Sequence, residues 1–309
     1  MSLVTIDSWP TRQHIDFRPQ LEAGNILFLP TTPFAAPEES KEFLRNLSFA
    51  GGAVHKNIAY RTAQDRITGI EGDAALAERV RDIFRRYSRE VVRFVTALLP
   101  DYASSWKLDY ASFRPVEEEG RDLPLNKRND LIHTDAFPSR PTNGGLILRV
   151  FTNISATKTR VWVTSDPFRS IAERYAREAG LHRIAVAAHS PWAPLRSRSA
   201  RMLRSLGLPV VPRSPYDRFM LRFHDYLKRN DDFQNNYAQH RYEFPPGSTW
   251  LVFTDVTPHS VQAGQHALEQ TFIVARESLS DRENAPISIL ERICGRPLLA
   301  GAPAIAPMA

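Results

Sequence analysis

Cysteine is nearly missing from this sequence. Cys294 stands alone among 309 residues, so the chain cannot close an internal disulfide, which suits a reducing compartment. Long apolar runs are also missing, since none approaches the roughly 20 residues that span a bilayer. The opening MSLVTIDSWPTRQHIDF has no basic stretch followed by an apolar core, which argues against a secretory leader. There is no internal repeat. The one biased tract, PLLAGAPAIAPMA at the C-terminus, is broken by Pro303 and Pro307 and reads as a loose tail. No cysteine cluster suggests structural zinc, and no Ser/His/Asp or paired-carboxylate set stands out as a hydrolytic site. What remains is an ordinary globular composition, 42% hydrophobic, 24% charged and 10% aromatic, long enough to bury a sizeable core. The expectation is a soluble or peripheral cytoplasmic protein.

Charge is present but unevenly placed. The net charge is +6, yet residues 169–229 hold 13 Arg or Lys against Glu173, Glu178, Asp217 and Asp225, a balance of +9 that leaves −3 for the rest. Such a concentration suits a polyanionic partner (nucleic acid, an anionic membrane face, or a phosphorylated or carboxylated substrate) or, more simply, a solvated helical surface. No basic motif interleaved with aromatics in the manner of known RNA binders is present, so nucleic acid is not expected.

The texture of the chain divides it. GNILFLP (24–30) reads as a short strand, PEESKEFLRNL (37–47) as a short helix, and 73–99 as a long helix capped by Asp73 and ended by Pro100. The outward face of that helix carries Arg79, Arg85, Arg86, Arg89 and Arg93. Residues 1–104 are therefore expected to supply helical support. Strand texture, rich in β-branched and aromatic residues, follows over 105–165, including SWKLDYASFRP, LIHTDAF, GGLILRVFTNIS and TRVWVTS, and returns over 240–277. Between them, 166–239 reads as a basic helical insertion, and 278–309 as a tail. No linker is long enough to force a second domain, so 1–309 is read as one mainly β domain with helices (α+β).

The chemistry-bearing segment is NDLIHTDAFPSRP (129–141). In an extended chain His133 and Asp135 point the same way and Thr134 the other. A third ligand must come from elsewhere, and His259 in TDVTPHSV, at the end of the β segment TWLVFTD, is the best candidate. Two imidazoles and one carboxylate on one face of an octahedral iron leave three positions open, whereas zinc more often takes a closed tetrahedral set. The spacing permits this set without proving it. A second H-x-D, His14-Ile15-Asp16, lies too close to the N-terminus for strands to precede it, and its downstream candidate His55 sits in the glycine-marked GGAVHKN. His182, His189, His224, His240 and His266 read as surface or satisfied core histidines.

The block NDLIHTDAFPSRPTNGGLILRVFTNI, with RVWVTSDPF, W-x-x-F-T-D-x-x-P-H-S-V, KNIAY, ITGIEG and ILERICGRPL, resembles the Kdo hydroxylases, and the likeness covers most of the chain. That family comprises Fe(II)/2-oxoglutarate-dependent dioxygenases acting on 3-deoxy-D-manno-oct-2-ulosonic acid (Kdo) of bacterial lipopolysaccharide. The resemblance implies a double-stranded β-helix core (jelly roll, cupin-like), with His133, Asp135 and His259 as the facial triad. It implies hydroxylation of carbon 3 of the outer Kdo of Kdo2-lipid A, with dioxygen consumed and 2-oxoglutarate converted to succinate and CO2. The setting would be the cytoplasmic side of the inner membrane of a Gram-negative bacterium. The core motif also admits a 2-oxoglutarate dioxygenase for another sugar, small molecule or peptide, because specificity resides in loops. A reading of another class is a non-catalytic jelly roll that grips a polyanion.

One departure matters. At positions ten to twelve after His259, where many members of the wider superfamily place an Arg or Lys for 2-oxoglutarate, this chain has Glu269, Gln270 and Thr271. A guanidinium suits a carboxylate, and Arg149 in LILRVFTN, a charge within an apolar strand, is the expected anchor, with Arg160, Arg276, Lys127 and Arg128 as fallbacks. In the basic insertion, Arg196, Arg198, Arg201, Arg204 and Arg213 are expected to face lipid A phosphates, Kdo carboxylates or anionic headgroups, with VVP, FMLRF and Trp192 as interfacial contacts.

Overall fold

The computed structural model describes residues 1–10, 15–47, 54–190 and 211–299, the side chains of 54–57 excepted. Eleven strands are present among the described residues: β1 (Leu3–Thr5), β2 (Ile26–Leu29), β3 (Val54–Arg61), β4 (Arg66–Ile70), β5 (Lys107–Arg114), β6 (Leu146–Asn153), β7 (Arg160–Thr164), β8 (His240–Phe244), β9 (Thr249–Phe253), β10 (His259–Ala263) and β11 (Ala267–Val274). The helices are α1 (Arg18–Glu22), α2 (Glu38–Arg45), α3 (Ala74–Leu98), α4 (Pro100–Ala103), α5 (Phe168–Tyr175), α6 (Leu181–Ala188), α7 (Pro215–Arg229), α8 (Asp231–Asn236) and α9 (Pro286–Cys294). An eight-stranded sheet runs β1-β2-β9-β6-β11-β5-β3-β4 and faces a three-stranded sheet, β10-β7-β8. All the pairs are antiparallel except β1 with β2.

Side-chain alternation makes two cores from one sheet. On β6, Leu148 and Val150 join α3 residues such as Tyr87, Val91 and Val95 in the larger core. Phe151, on the other face, joins Trp162, Phe244, Trp250, Val252 and Val261 between the sheets. Trp250 stacks on Phe244 with centroids 4.1 Å apart and meets Trp162 edge-on. Burying each such side chain contributes on the order of 2–3 kcal/mol. Helix α3 forms where its spacing predicts: the Asp73 carboxylate accepts the Leu76 N–H at 2.8 Å, and Leu99, restricted by Pro100, leaves the helical conformation. Its outward arginines meet acids, as in Arg93–Glu90 at 2.7 Å.

Three expectations are corrected. Residues 1–104 supply β1 to β4, half of the large sheet, as well as helices. Short, interrupted stretches such as RITGI gave little periodicity to read. The segment LIHTDAF forms no strand, and its only ladder contact is an isolated bridge between His133 and His259. Finally, the 278–299 part of the expected tail is packed, because the Ile287, Ile289 and Leu290 side chains of α9, together with Leu298, are buried in the main core. Residues 300–309 lie outside the described residues.

Candidate metal centre

His133, Asp135 and His259 come together, each offering a ligand atom within 4.8 Å of the others. The backbone builds this. His133 N–H donates to His259 O at 3.0 Å, His259 N–H returns to His133 O at 2.9 Å, and Asp135 N–H donates to Thr254 O at 3.0 Å. Behind them Gln234 of α8 clamps the Ile132 peptide, accepting its N–H at 3.0 Å and donating to its carbonyl at 2.9 Å.

Both histidines are anchored alike. His133 Nδ1 lies 2.7 Å from Leu131 O and His259 Nδ1 lies 2.9 Å from Thr257 O, so each Nδ1 carries the proton and each Nε2 presents a lone pair. Trp162 stacks on the His259 ring, centroids 4.6 Å apart at 15°. Burial lowers the pKa of both imidazoles and keeps them neutral, and the neighbouring histidines add to the effect at His133. Burial works against the Asp135 carboxylate, but the Arg149 guanidinium and the two histidines hold it well below the usual range. Two neutral imidazoles and one ionised carboxylate form a donor set suited to a divalent transition metal with open positions.

Arg149 lies beside the triad. Its alternation with Leu148 and Val150 turns it toward the space between the sheets, where Nε is 3.2 Å from Asp135 Oδ2. The pair is close but not aligned as a hydrogen bond, and both atoms are buried without another partner. The second Arg149 contact is Glu269 Oε1 at 3.3 Å, and Arg114 reaches Glu269 Oε2 at 3.2 Å. The acid at the position where the wider superfamily often has a cation thus gathers two arginines from neighbouring strands. Arg160 is 3% exposed, 3.7 Å from Glu118, and donates to Gly264 O at 3.1 Å. Gly264 has φ +108°, and a Cβ there would fall 2.7 Å from Arg160 Cα, so this turn requires glycine.

The other candidates scatter. Arg276 lies 3.8 Å from Glu291 and Arg128 2.5 Å from Asp130, while Lys127 is exposed in a short turn. Arg213 donates to Pro138 O. Arg196, Arg198, Arg201, Arg204 and Trp192 lie outside the described residues, as do His14 and the side chain of His55. The FMLRF stretch is not interfacial: Phe219, Met220 and Phe223 are buried in the main core on the inner face of α7.

His224, expected as a surface or satisfied core histidine, has a more specific placement than that. Its Nδ1 lies 2.8 Å from Thr134 O, and its ring stands edge-on to His133 with centroids 4.7 Å apart. Lys228, one turn on, is buried. Arg114, Trp162 and His224 carried no sequence signal, since each reaches the site only through long-range packing.

Over residues 7–297 the sequence matches the family described as 3-deoxy-D-manno-oct-2-ulosonic acid (Kdo) hydroxylase. Among solved structures, the Kdo hydroxylase KdoO, a non-heme Fe(II) alpha-ketoglutarate-dependent dioxygenase, is similar in several states. Its complex with alpha-ketoglutarate and Fe(III) shares 32% identity over 98% of this chain and 99% of that one, with a TM-score of 0.81. Its cobalt(II) complex gives 32% identity, 97% and 98% coverage and a TM-score of 0.82. The apo form gives 32%, 98% and 99%, and 0.81. Among curated proteins none matches this chain.

Proposed function

Because this chain belongs to the Kdo hydroxylase family, we propose that it hydroxylates carbon 3 of the outer Kdo of Kdo2-lipid A, as an Fe(II)/2-oxoglutarate-dependent dioxygenase. The observation that carries the reading is the paired anchoring of His133 and His259, which aims both Nε2 lone pairs into the cluster that holds Asp135. The residues fit an iron ion: Asp135 Oδ2 is buried with no hydrogen-bond partner, and the donor set is the 2-His-1-carboxylate type.

In this reading His133, Asp135 and His259 hold the metal. Bound Fe(II) with 2-oxoglutarate supplies the oxygen chemistry that turns a C–H into a C–OH while 2-oxoglutarate becomes succinate and CO2. The chain's own work is placement. Arg149, with Arg114 and Arg160, supplies three guanidinium groups, with Asp135, Glu269 and Glu118 as acidic partners. Their forked N–H donors suit the distal carboxylate of 2-oxoglutarate. Trp162 and the aromatic layer exclude water from the His259 side. No side-chain base is needed to abstract the hydrogen, in keeping with neutral histidines. The basic segment 169–229 fits association with an anionic membrane face on the cytoplasmic side. No helix of the described residues is long and apolar enough to cross a membrane.

The test is mass spectrometry of Kdo2-lipid A incubated with the protein, Fe(II), ascorbate and 2-oxoglutarate. The reading expects a gain of one oxygen that disappears in His133→Ala. Wild-type protein that adds no oxygen sinks it.

A further inference from the structure

A cleft of about 960 Å³ opens at the ends of β5 and β11, lined by Lys107, Asp109, Arg140, Arg276 and the loop 139–145. None of His133, Asp135 and His259 lines it, but one wall reaches toward them. Thr142 lines this cleft and also a void of about 10 Å³ that touches Asp135 and Phe137.

That wall alternates cations and rings. The Arg61 guanidinium lies 5.5 Å from the Tyr110 ring centre, and Arg140 lies 4.0 Å from Tyr110 and 4.2 Å from Phe137. Arg149 lies 5.3 Å from Phe137 and reaches Asp135. A bulge makes the ladder: Gln270 pairs Ala111 and Phe272 pairs Leu108, so Asp109 and Tyr110 share the one position opposite Thr271. Stacking occupies the faces of the guanidinium groups and leaves their N–H edges for anions. The arginines of the ladder differ in their acidic partners. Asp109 takes Arg140, Asp135 and Glu269 share Arg149, and the Arg61 Nε is buried without a hydrogen-bond partner.

In a 3-deoxy-2-ulosonic acid, carbon 2 joins the C1 carboxylate to C3. A receptor for that carboxylate must therefore lie close to the metal. Arg140 shares the Phe137 ring with Arg149, which in turn reaches Asp135, and so is the cation of the cleft linked to the cluster. Building on the acidic-sugar hydroxylase reading above, we propose that this cleft seats the substrate and that Arg140 binds its carboxylate, releasing Asp109 as it does so.

The test measures binding of a water-soluble Kdo disaccharide, freed from its lipid, to metal-loaded protein with 2-oxoglutarate under nitrogen. Wild type binds, Arg140→Ala binds about tenfold more weakly or worse, and the KM for 2-oxoglutarate stays unchanged. Asp109→Asn binds as tightly as wild type or tighter, because the competing charge is gone. Were Arg140 only a brace for the cleft through Asp109, the two variants would weaken binding alike, and that result overturns the proposal. So does wild-type protein that ignores the disaccharide, or Arg140→Ala that binds it normally. Should Arg140→Ala fail to fold, the contrast between Arg140→Lys, weakened, and Asp109→Asn, not weakened, separates the two roles equally well. Arg140-dependent binding without oxygen transfer keeps the cleft assignment and removes the hydroxylase reading.

Discussion

His133 and His259 exchange both backbone hydrogen bonds, at 3.0 and 2.9 Å, across a bridge that belongs to no continuous ladder on the His133 side. One ligand therefore sits at the start of a strand and the other on a loop that meets that strand through scattered hydrogen bonds, among them Val261 N–H to Asn129 O at 2.7 Å. A loop so placed is held by whatever else grips it, and Gln234 does so through the Ile132 peptide.

Removing that grip should loosen the site without touching a ligand. Gln234→Ala is expected to lower metal affinity about 10–100-fold, the usual range for groups that support ligands. His259→Ala should abolish binding of the metal. Calorimetric titration with Fe(II) or Co(II) checks both, and unchanged affinity in Gln234→Ala would refute the clamp.

Arg149 is expected to set cosubstrate affinity. Arg149→Lys, which keeps charge but loses the forked donor, should raise the KM for 2-oxoglutarate about tenfold or more, and Arg149→Ala further. Removing the guanidinium also takes one cation from both Glu269 and Asp135, so a drop in thermal midpoint should accompany Arg149→Ala. A KM equal to wild type in both variants assigns the cosubstrate to another group.

Asp255 gives a pH signature. Burial pushes its carboxyl up to about 7, while Oδ1 accepts the Ile147 N–H at 3.0 Å and Oδ2 is buried without a partner. A folded pKa above the unfolded value means the folded protein binds the extra proton. Stability is therefore full below the ordinary carboxylate range and falls as pH rises toward about 7, by at most about 1.4 kcal/mol per unit. Asp255→Asn keeps the Oδ1 acceptor and lacks the charge, so it should be more stable than wild type at pH 8 and gain little at pH 4. Denaturant melts at both values decide it, and an equal effect at the two values contradicts the assignment.

Membrane association should depend on the basic segment. Changing Arg196, Arg198, Arg201, Arg204 and Arg213 together to Gln is expected to abolish salt-sensitive binding to vesicles containing anionic lipid. Co-sedimentation at low and raised salt reads this out, and binding that survives the change assigns the contact elsewhere.

What the sequence made legible follows from the range of the interactions. Asp73 as a helix cap and the strands around GGLILRVFTNIS and TWLVF depend on neighbours within a few residues, and their boundaries could be read directly. The H-x-D pair carried its chemistry locally as well. The extended LIHTDAF failed as a strand because β texture cannot tell a laddered segment from one held by an isolated bridge and hydrogen bonds to Thr254, His224 and Gln234. His224 and Trp162 look like ordinary apolar-face residues in one dimension, and only the docking of α7 and the stacking of the small sheet bring them to His133 and His259. The bulge that sets Tyr110 beneath Arg140 likewise depends on pairing with β11, 160 positions away.

A single turnover under 18O2 tests the central claim most directly. Protein loaded with Fe(II) and 2-oxoglutarate is mixed with Kdo2-lipid A, and the products are analysed by mass spectrometry and NMR. The account predicts one labelled oxygen at carbon 3 of the outer Kdo and the other in succinate, in equal amounts. Label confined to succinate, or oxygen in the sugar that comes from water, would contradict it.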